Sequence, residues 1–320
     1  MRRPSSARTF VEYFITPLKD QHMRIFVTGA TGFIGSAIVQ ELIGAGHQVV
    51  GLSRSDKSDQ ALAVAGATAH RGSLDDLDSL TRGAAASEGV IHAAFNHDFL
   101  AYATAGETDR RAVAALGAGL VGTGHPFVIT SVTTLLTPGR LGTEDDAPDP
   151  ATASATRIPS EEAALALAAQ GVRASAVRLP PSVHGDGDHA FVPALIAIAR
   201  VKGVSAYVGD GRNRWPAVHR LDAARLFRLA LEQGVGGSRY HAAGDEGVPV
   251  RDIAEVIGRR LNLPVAPKPA EEAAGHFGWL ASFLALDNPI SSALTQQRLG
   301  WHPSQRALLP DLDRGRYFEI

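Results

Sequence analysis

From residue 24 to residue 179, short apolar segments alternate with segments whose apolar side chains recur at helical spacing. This alternation favours a parallel sheet, because each parallel connection needs a crossover that a helix can provide. The predicted strands are residues 24–28, 47–52, 67–70, 89–93, 125–131 and 172–179. The predicted helices between them include residues 35–45, 75–82, 108–119 and 161–170. We therefore predict an α/β fold with a doubly wound parallel sheet of the Rossmann type.

The regular alternation ends near residue 180, and residues 180–188 and 208–216 are predicted loops rich in Gly, Asp and Pro. The helices predicted beyond this point are residues 191–200, 222–232, 250–261 and 271–286, and one strand is predicted at residues 238–242. We expect residues 23–180 to form the Rossmann core. Residues 181–320 are expected to form mainly a smaller substrate-binding region, with segments near 204–242 returning to the core.

The N-terminal segment, residues 1–22, differs from the rest of the chain. It precedes a second methionine, Met23, which stands directly before the first predicted strand. Its apolar run is interrupted by Glu12 and Pro17, and no small-residue cleavage site follows it. We expect this segment to be a disordered extension or a misassigned start rather than a signal peptide.

The composition excludes several kinds of chemistry. None of the 320 residues is cysteine, which rules out disulfides, thiolate metal ligands and a cysteine nucleophile. The net charge of −2 gives no basic surface for nucleic acid or for an anionic membrane. The longest apolar stretch, residues 191–199, is far shorter than the roughly 20 residues that cross a bilayer. We therefore expect a cytoplasmic protein that binds neither nucleic acid nor membrane.

A glycine-rich turn, Thr28-Gly-Ala-Thr-Gly-Phe-Ile-Gly35, connects the first predicted strand to the first predicted helix. Gly29 permits the tight turn, Gly32 lets the backbone approach a pyrophosphate, and Gly35 allows the helix to pack closely against the strand. The helix then presents free amide groups and the positive end of its dipole to the phosphates. This arrangement predicts that the chain binds a dinucleotide cofactor.

Further motifs follow the turn in a fixed order. They are Gly72-Ser-Leu74, Val90-Ile-His-Ala-Ala94, Val128-Ile-Thr-Ser131, Arg178-Leu-Pro-Pro-Ser-Val-His-Gly185 and Trp215-Pro-Ala-Val-His-Arg-Leu-Asp222. With the turn, they resemble the extended and atypical branches of the short-chain dehydrogenase/reductase superfamily, which include NAD-dependent epimerases and dehydratases. The resemblance covers residues 23–232 and implies a nicotinamide cofactor.

The turn and the resemblance together predict which residues bind the cofactor. These residues lie in the turn and at the ends of the second, third, fourth and sixth strands. They are Thr28, Gly29, Thr31, Gly32, Phe33, Ile34, Gly35, Ser53, Arg54, Ser55, Ser73, Leu74, Ala93, Ala94, Pro180 and Val183.

The end of the second strand indicates which nicotinamide cofactor is bound. An acidic residue there accepts a hydrogen bond from the ribose of NAD, whereas a basic residue accommodates the 2′-phosphate of NADP. Here Arg54 stands between Ser53 and Ser55, and its guanidinium can hold a phosphate. Asp56 is an alternative ribose partner that would favour NAD. We predict NADP, with NAD as the second choice.

The catalytic pair of the superfamily is missing from this chain. The members that it resembles use a tyrosine and a lysine in the pattern Y-x-x-x-K, and the stretch that fits this position is Arg157-Ile-Pro-Ser-Glu161. Arg157 remains protonated, so it can stabilise developing negative charge but cannot donate a proton as tyrosine does. Arg157 and Glu161 are also spaced for a surface ion pair along a helix. The sequence therefore predicts an atypical member without the usual tyrosine and lysine.

Other candidates follow the strands whose carboxyl ends form the active site in this fold. Ser131 and Thr133 come at the end of the fifth predicted strand, and either one can correspond to the superfamily's catalytic hydroxyl. His97 follows the fourth strand and could serve as a general acid beside Asp98. The predicted catalytic residues are Ser131, Thr133, His97 and Arg157.

Three further side chains could donate a proton. His184 stands where the resembled motif has a tyrosine, and Tyr102 and Tyr207 carry phenol groups in or near predicted loops. Four possible metal ligands are close in sequence, namely His184, Asp186, Asp188 and His189, but the intervening glycines indicate a loop, and we expect no metal site.

These observations predict an NADP(H)-dependent oxidoreductase that reduces a C=O or C=N bond of a small organic substrate. Two alternatives remain open. A catalytically inactive NAD(P)-binding regulatory protein would keep the fold and lose the catalytic pair. A nucleotide-sugar epimerase or dehydratase is weakened as an interpretation, because those reactions use the same missing tyrosine. The predicted partner is a small carbonyl or imine compound, and assembly into a homodimer is left open.

Overall fold

The structure is a computed structural model that describes residues 22–96 and 102–319. The predicted N-terminal extension lies outside the described residues, apart from His22. The strands are β1 Arg24–Thr28, β2 Gln48–Ser53, β3 Thr68–Arg71, β4 Gly89–His92, β5 Pro126–Val132, β6 Arg173–Leu179, β7 Ser182–His184, β8 Ser205–Val208, β9 Arg214–His219, β10 Arg239–His241, β11 Asp245–Pro249 and β12 Val265–Lys268. The helices are α1 Phe33–Gly44, α2 Asp56–Val64, α3 Leu77–Ala85, α4 Tyr102–Ala118, α5 Ile158–Ala166, α6 Phe191–Lys202, α7 Arg220–Gln233, α8 Val250–Leu261, α9 Ala270–Phe277, α10 Ala281–Leu284, α11 Ala293–Leu299 and α12 Leu308–Arg314.

Seven of the described strands form one parallel sheet in the order β3-β2-β1-β4-β5-β6-β10. The chain builds β1 to β3 towards one edge and then continues from β4 towards the other. The strand order therefore reverses between β1 and β4, where Ile25 pairs with Val49 on one side and with Gly89 on the other. In open α/β sheets, ligands bind outside the carboxyl ends of the strands at this switch point. The predicted doubly wound α/β fold is confirmed.

Helices cover both faces of this sheet. Leu42 of α1 and Phe227 of α7 are fully buried in the core on one face. Leu80 of α3 and Leu116 of α4 are fully buried in the core on the opposite face. Burial on both faces explains why the central strands are almost continuously apolar rather than alternating.

A separate apolar core lies under the C-terminal part of the chain. It contains Trp215, Phe277 and Leu284, with two small sheets of order β11-β9-β7 and β12-β8. Parallel pairing of Val183 in β7 with Val218 in β9 places this region beside the carboxyl edge of the large sheet. Within the two described ranges, every helix is too short or too polar to cross a bilayer.

Several predicted boundaries differ from the structure. The predicted loop at 180–188 contains strand β7, and most of β9 was not predicted because Pro216 interrupts an already short apolar run. The predicted helix at 271–286 is divided into α9 and α10, because Gly278 adopts a φ of +58° that ends α9. The predicted strand at 238–242 is present as β10 at the edge of the large sheet.

Candidate functional site

The glycine-rich turn lies between β1 and α1 at the switch point. Gly29 has a φ of +68°, and a Cβ atom there would lie 2.7 Å from the backbone nitrogen of Ala94, which follows β4. A Cβ atom on Gly35 would collide with the carbonyl oxygen of Gly29. Only glycine therefore fits at these two positions, and the turn is held close to both β4 and the first helix.

The N-terminus of α1 opens from this turn. Gly32 occupies the N-cap position and is exposed, and no side chain caps the helix. The Gly32 amide donates to the carbonyl oxygen of Gly29 over 2.9 Å, which fixes the turn. A helix start that lacks a side-chain cap and is reached by exposed glycine backbone suits the phosphates of a dinucleotide. Thr31 is exposed beside Gly32, and Phe33 and Ile34 are half-buried at the first helical positions.

One strand, β1, separates β2 from the switch point. Ser53 is buried and its hydroxyl donates to the carbonyl oxygen of Ser55 over 3.1 Å. Arg54 is exposed and makes no hydrogen bond or ion pair with the other described residues, whereas Asp56 is paired with Arg71. The carboxylate that could have favoured a ribose is thus engaged with a cation of β3.

The segment after β3 lies next to this strand end. Gly72 donates its amide to the carbonyl oxygen of Ser53 over 3.0 Å, which brings half-buried Ser73 and Leu74 to the same edge of the sheet. The hydroxyl of Ser73 accepts a hydrogen bond from the amide of Asp75 at 3.2 Å.

A buried chain of polar groups runs behind the turn. Thr28 accepts the amide of Ala94 at 3.3 Å, and its hydroxyl is hydrogen-bonded to Nδ1 of His92 at 2.7 Å. His92 Nε2 then donates to Oδ1 of Asp109 in α4 over 3.0 Å. Burial opposes ionisation of Asp109, but the Arg157 cation and the His92 hydrogen bond outweigh it and lower its pKa. These hydrogen-bonded groups therefore connect the end of β1 to Arg157, the residue at the predicted tyrosine position.

Glu161, at the predicted lysine position, is not part of a surface ion pair with Arg157. Its side chain is fully buried and accepts hydrogen bonds from Arg178 at 2.6 and 3.0 Å and from Arg239 at 2.7 Å. Burial opposes its charge, but the bonds from Arg178, Ser131 and Arg239 lower the pKa of the carboxyl to about 2. The expected surface pair is wrong because Arg157 is the N-cap of α5 and its side chain turns towards the sheet.

The two candidate hydroxyls at the end of β5 have different partners. Ser131 donates to Oε2 of Glu161 over 2.6 Å. Thr133 donates to Oδ1 of Asn288 over 2.8 Å, and the Asn288 amide returns a bond of 3.2 Å to the backbone oxygen of Thr133. Both hydroxyls are buried, and each gives its proton to a neighbouring oxygen.

Arg157 lies at the centre of the carboxyl edge and is only 4% exposed. Its Nη2 donates to the carbonyl oxygen of Thr130 over 2.7 Å and lies 3.8 Å from Oδ2 of Asp109. Its guanidinium carbon lies 3.8 Å from the centre of the Phe95 ring, a cation–π contact. The Phe95 ring also meets the Tyr102 ring edge-on, with centroids 5.8 Å apart. The structure therefore brings Arg157, Ser131 and Thr133 to one edge, whereas His97 lies outside the described residues.

The remaining predicted residues follow β6. Pro180 and Val183 are buried, and Val183 packs into the large core. His184 is fully buried, and its Nδ1 lies 2.9 Å from Oδ2 of Asp311 in α12. The loop after His184 reaches the turn, because the rings of His189 and Phe33 are 5.8 Å apart. Within residues 22–96 and 102–319, no three His, Asp or Glu side chains are grouped to hold a metal ion.

Sequence reasoning missed four polar partners of the candidate residues. Asn288 and Asp311 lie 155 and 127 residues from Thr133 and His184, so no local pattern could reveal them. Arg239 is likewise 78 residues from Glu161. Asp109 had a detectable signal, because this acid stands on the helix face that also carries Ala105, Ala112 and Val113, all of which are buried.

Comparisons with known proteins agree with this architecture. The model of the NAD dependent epimerase/dehydratase family matches residues 25–243. An uncharacterized protein of Schizosaccharomyces pombe is 55% identical over 298 residues, which cover 92% of this chain and 100% of that protein. A 4-hydroxy-2-methyl-3-oxo-4-farnesyl-3,4-dihydroquinoline-1-oxide ketoreductase of Stigmatella aurantiaca is 30% identical and covers 80% of each chain. The solved dTDP-glucose 4,6-dehydratase DesIV of Streptomyces venezuelae has a similar fold, with a TM-score of 0.75 at 22% identity over 93% of this chain and 97% of that one.

Proposed function

Because the chain belongs to the NAD dependent epimerase/dehydratase family, an NAD(P)-dependent group within the extended short-chain dehydrogenases, we propose that it is an NADP(H)-dependent oxidoreductase that reduces a C=O or C=N bond of a small organic molecule. The observation that carries the proposal is the glycine-rich turn. A Cβ atom at Gly29 or Gly35 would collide with the backbone, and the turn leads into a helix whose N-terminus has no side-chain cap. Two relatives of about 30% identity are named as reductases of oxo compounds. They are the Stigmatella ketoreductase and a 2-alkyl-3-oxoalkanoate reductase of Stenotrophomonas maltophilia, which is 31% identical over 77% of this chain and 78% of that protein.

The residues of this chain fit a dinucleotide along the carboxyl edge of the sheet. The amides that follow Gly32 in the first turn of α1 would hold the pyrophosphate, Ser73 and Leu74 would border the adenine, and Pro180 and Val183 would support the nicotinamide end. A bound nicotinamide cofactor supplies the hydride, and the protein supplies binding, orientation and a proton.

The preference for NADP rests on the end of β2. Arg54 is exposed and has no ionic partner among the described residues, so its guanidinium can receive a 2′-phosphate without breaking an existing pair. Asp56 forms a surface ion pair with Arg71, which partly compensates the charge of the acid that would compete for a ribose hydroxyl. A charged hydrogen bond of this kind contributes about 1.5–3 kcal/mol, so Arg54 can account for a preference of tenfold or more.

The chemistry of the substrate end rests on Arg157. Its charge is permanent, and Asp109 and Thr130 hold it at the edge where the strands end. A fixed cation at this place stabilises negative charge that develops on a carbonyl oxygen. Ser131 and Thr133 are proposed to order the edge around the substrate, and His97 stays a catalytic candidate from the sequence.

The test is consumption of the reduced cofactor. Purified protein, NADPH and a panel of ketones, aldehydes and imines are followed by the loss of near-ultraviolet absorbance of NADPH. We expect substrate-dependent oxidation above the background rate with at least one compound. Tight NADPH binding without oxidation by any compound would refute the proposal and favour the regulatory alternative. Conversion of a nucleotide sugar without net consumption of NADPH would favour an epimerase or dehydratase.

A further inference from the structure

Arg157 stands at the position where the sequence predicts the superfamily's tyrosine. The phenol of Tyr102, on helix α4, lies near this position. Tyr102 is the first residue of α4, which follows β4, and it is half-buried. Arg157 and Tyr102 contact the same Phe95 ring, the guanidinium at 3.8 Å and the phenol ring at 5.8 Å between centroids. Arg157 occupies the position of the missing tyrosine, so Tyr102 reaches the same part of the edge from α4 instead of α5.

The surroundings of the phenol include a fixed cation. Burial raises the pKa of Tyr102, and the charge of Arg157 and the hydroxyls of Ser154 and Thr156 oppose this rise, while Asp109 adds to it. Arg157 cannot lose its proton and is anchored by Thr130. Its charge therefore limits the rise in the pKa of Tyr102 that burial causes, and it remains present at all working pH values.

The two hydroxyls that the sequence predicts at the edge are engaged elsewhere. Ser131 donates to the Glu161 carboxylate, whose pKa is lowered, and Thr133 donates to Asn288. His184 is fully buried, with one ring nitrogen bonded to Asp311 on the C-terminal side. Tyr102 is a titratable donor whose ring packs on Phe95, the same ring that the Arg157 cation contacts.

We propose that Tyr102 is the proton donor of the reduction and that Arg157 is the cation that stabilises its phenolate. The proposal rests on the reductase function proposed above. The carbonyl carbon receives the hydride of the reduced nicotinamide, the C=O π bond breaks, and the carbonyl oxygen takes the proton from Oη of Tyr102. The product is an alcohol or, from an imine, an amine, and the phenolate then recovers a proton from water.

The first experiment measures the pairing of Tyr102 with Arg157 in protein without cofactor. The five tyrosines of the chain are replaced biosynthetically by fluorotyrosine, which titrates closer to neutral pH, and each phenol is followed by fluorine NMR. Tyr102→Phe identifies the Tyr102 signal by its loss. In Arg157→Met, we expect the titration midpoint of that signal to rise by about one pH unit or more, because the Arg157 charge favours the ionised form of the phenol.

Two variants control this measurement. Arg157→Lys keeps the cation, so a midpoint close to that of the wild type is expected even if Arg157→Met folds poorly. Arg251→Met removes the arginine that lies over Tyr207, 5.9 Å from its ring centre in the C-terminal region, and should leave the Tyr102 midpoint unchanged. A Tyr102 midpoint that is the same in the wild type and in folded Arg157→Met would overturn the proposal.

The second experiment measures turnover. Tyr102→Phe should lower kcat by about 100-fold or more, the usual contribution of a general acid, with the Kd for NADPH unchanged. Tyr207→Phe, which removes a phenol that lies away from the edge, should keep the wild-type kcat. If the wild type oxidises NADPH and Tyr102→Phe retains more than about a tenth of its kcat, this inference is wrong and the reductase function stands. If the wild type oxidises NADPH with no compound, the proposed function itself fails, and the proton-donor role fails with it.

Discussion

Replacement of Glu161 by glutamine tests whether the buried charges around Glu161 form an ion cluster that stabilises the fold. The Glu161 carboxylate is fully buried and accepts hydrogen bonds from Ser131, Arg178 and Arg239. Glutamine keeps the size of the side chain but removes the charge, and its amide group then faces an arginine. The buried guanidinium of Arg178 and the half-buried one of Arg239 would lose the anion that compensates them.

The loss in the free energy of unfolding expected for Glu161→Gln can be worked out in two ways. Each pKa unit corresponds to about 1.4 kcal/mol, so a fall of the Glu161 pKa from 4.5 to about 2 stabilises the folded protein by about 3 kcal/mol at neutral pH. Removal of one partner from a buried ion pair costs about 3–5 kcal/mol in general. Because the folded-state pKa is lowered, this stabilisation is complete above the unfolded pKa and is lost as the pH falls towards 2.

The assay is urea unfolding followed by circular dichroism, for the wild type and Glu161→Gln at two pH values. We expect the difference in the free energy of unfolding to be about 3 kcal/mol or more at pH 7, and to shrink to about half near pH 3. Glu162→Gln is the matched control, because its neighbouring side chain is exposed, and a change within about 0.5 kcal/mol is expected. Equal free energies of unfolding for Glu161→Gln and Glu162→Gln at neutral pH would refute the claim that the ion pairs of Glu161 stabilise the fold.

Two further predictions concern the turn and the loop after β7. Gly35→Ala should lower the free energy of unfolding by about 1–3 kcal/mol and weaken NADPH binding in calorimetry, because its methyl group collides with Gly29. Gly44→Ala, at a position with no atom near the added methyl group, should be neutral or stabilising by up to about 1 kcal/mol, and an equal loss in both variants would contradict the steric argument. Burial raises the pKa of Asp188 to about 6, so its ionisation destabilises the fold as the pH rises through this value. Asp188→Asn should therefore raise the Tm at about pH 8 but not near pH 4, and a Tm difference that does not change with pH would contradict this assignment.

The sequence predicted the large sheet because most of its strands and helices have a local pattern. The six strands from β1 to β6 and the helices α1, α3, α4 and α5 follow from apolar periodicity and from the turn at Gly29, whereas α2 was not predicted. The C-terminal region was predicted less well, because β7, β8 and β9 are short and are bordered by Gly and Pro, so their pairing depends on tertiary contacts.

In the candidate site, too, features with a local sequence pattern could be predicted and features that depend on tertiary contacts could not. The position of Arg157 and Glu161 could be found from spacing, but their partners could not. Spacing along a helix predicted that the two residues pair with each other, whereas Glu161 binds Arg178 and Arg239. Those partners come from β6 and β10, which meet α5 only after the sheet has formed.

The most direct test of the central claim is a calorimetric titration of the protein with NADPH and with NADH. The account predicts that NADPH binds at least about tenfold more tightly than NADH, and that Arg54→Ala abolishes the difference while leaving NADH binding unchanged. Equal affinity for the two cofactors in the wild type, or an unchanged preference in Arg54→Ala, would contradict it.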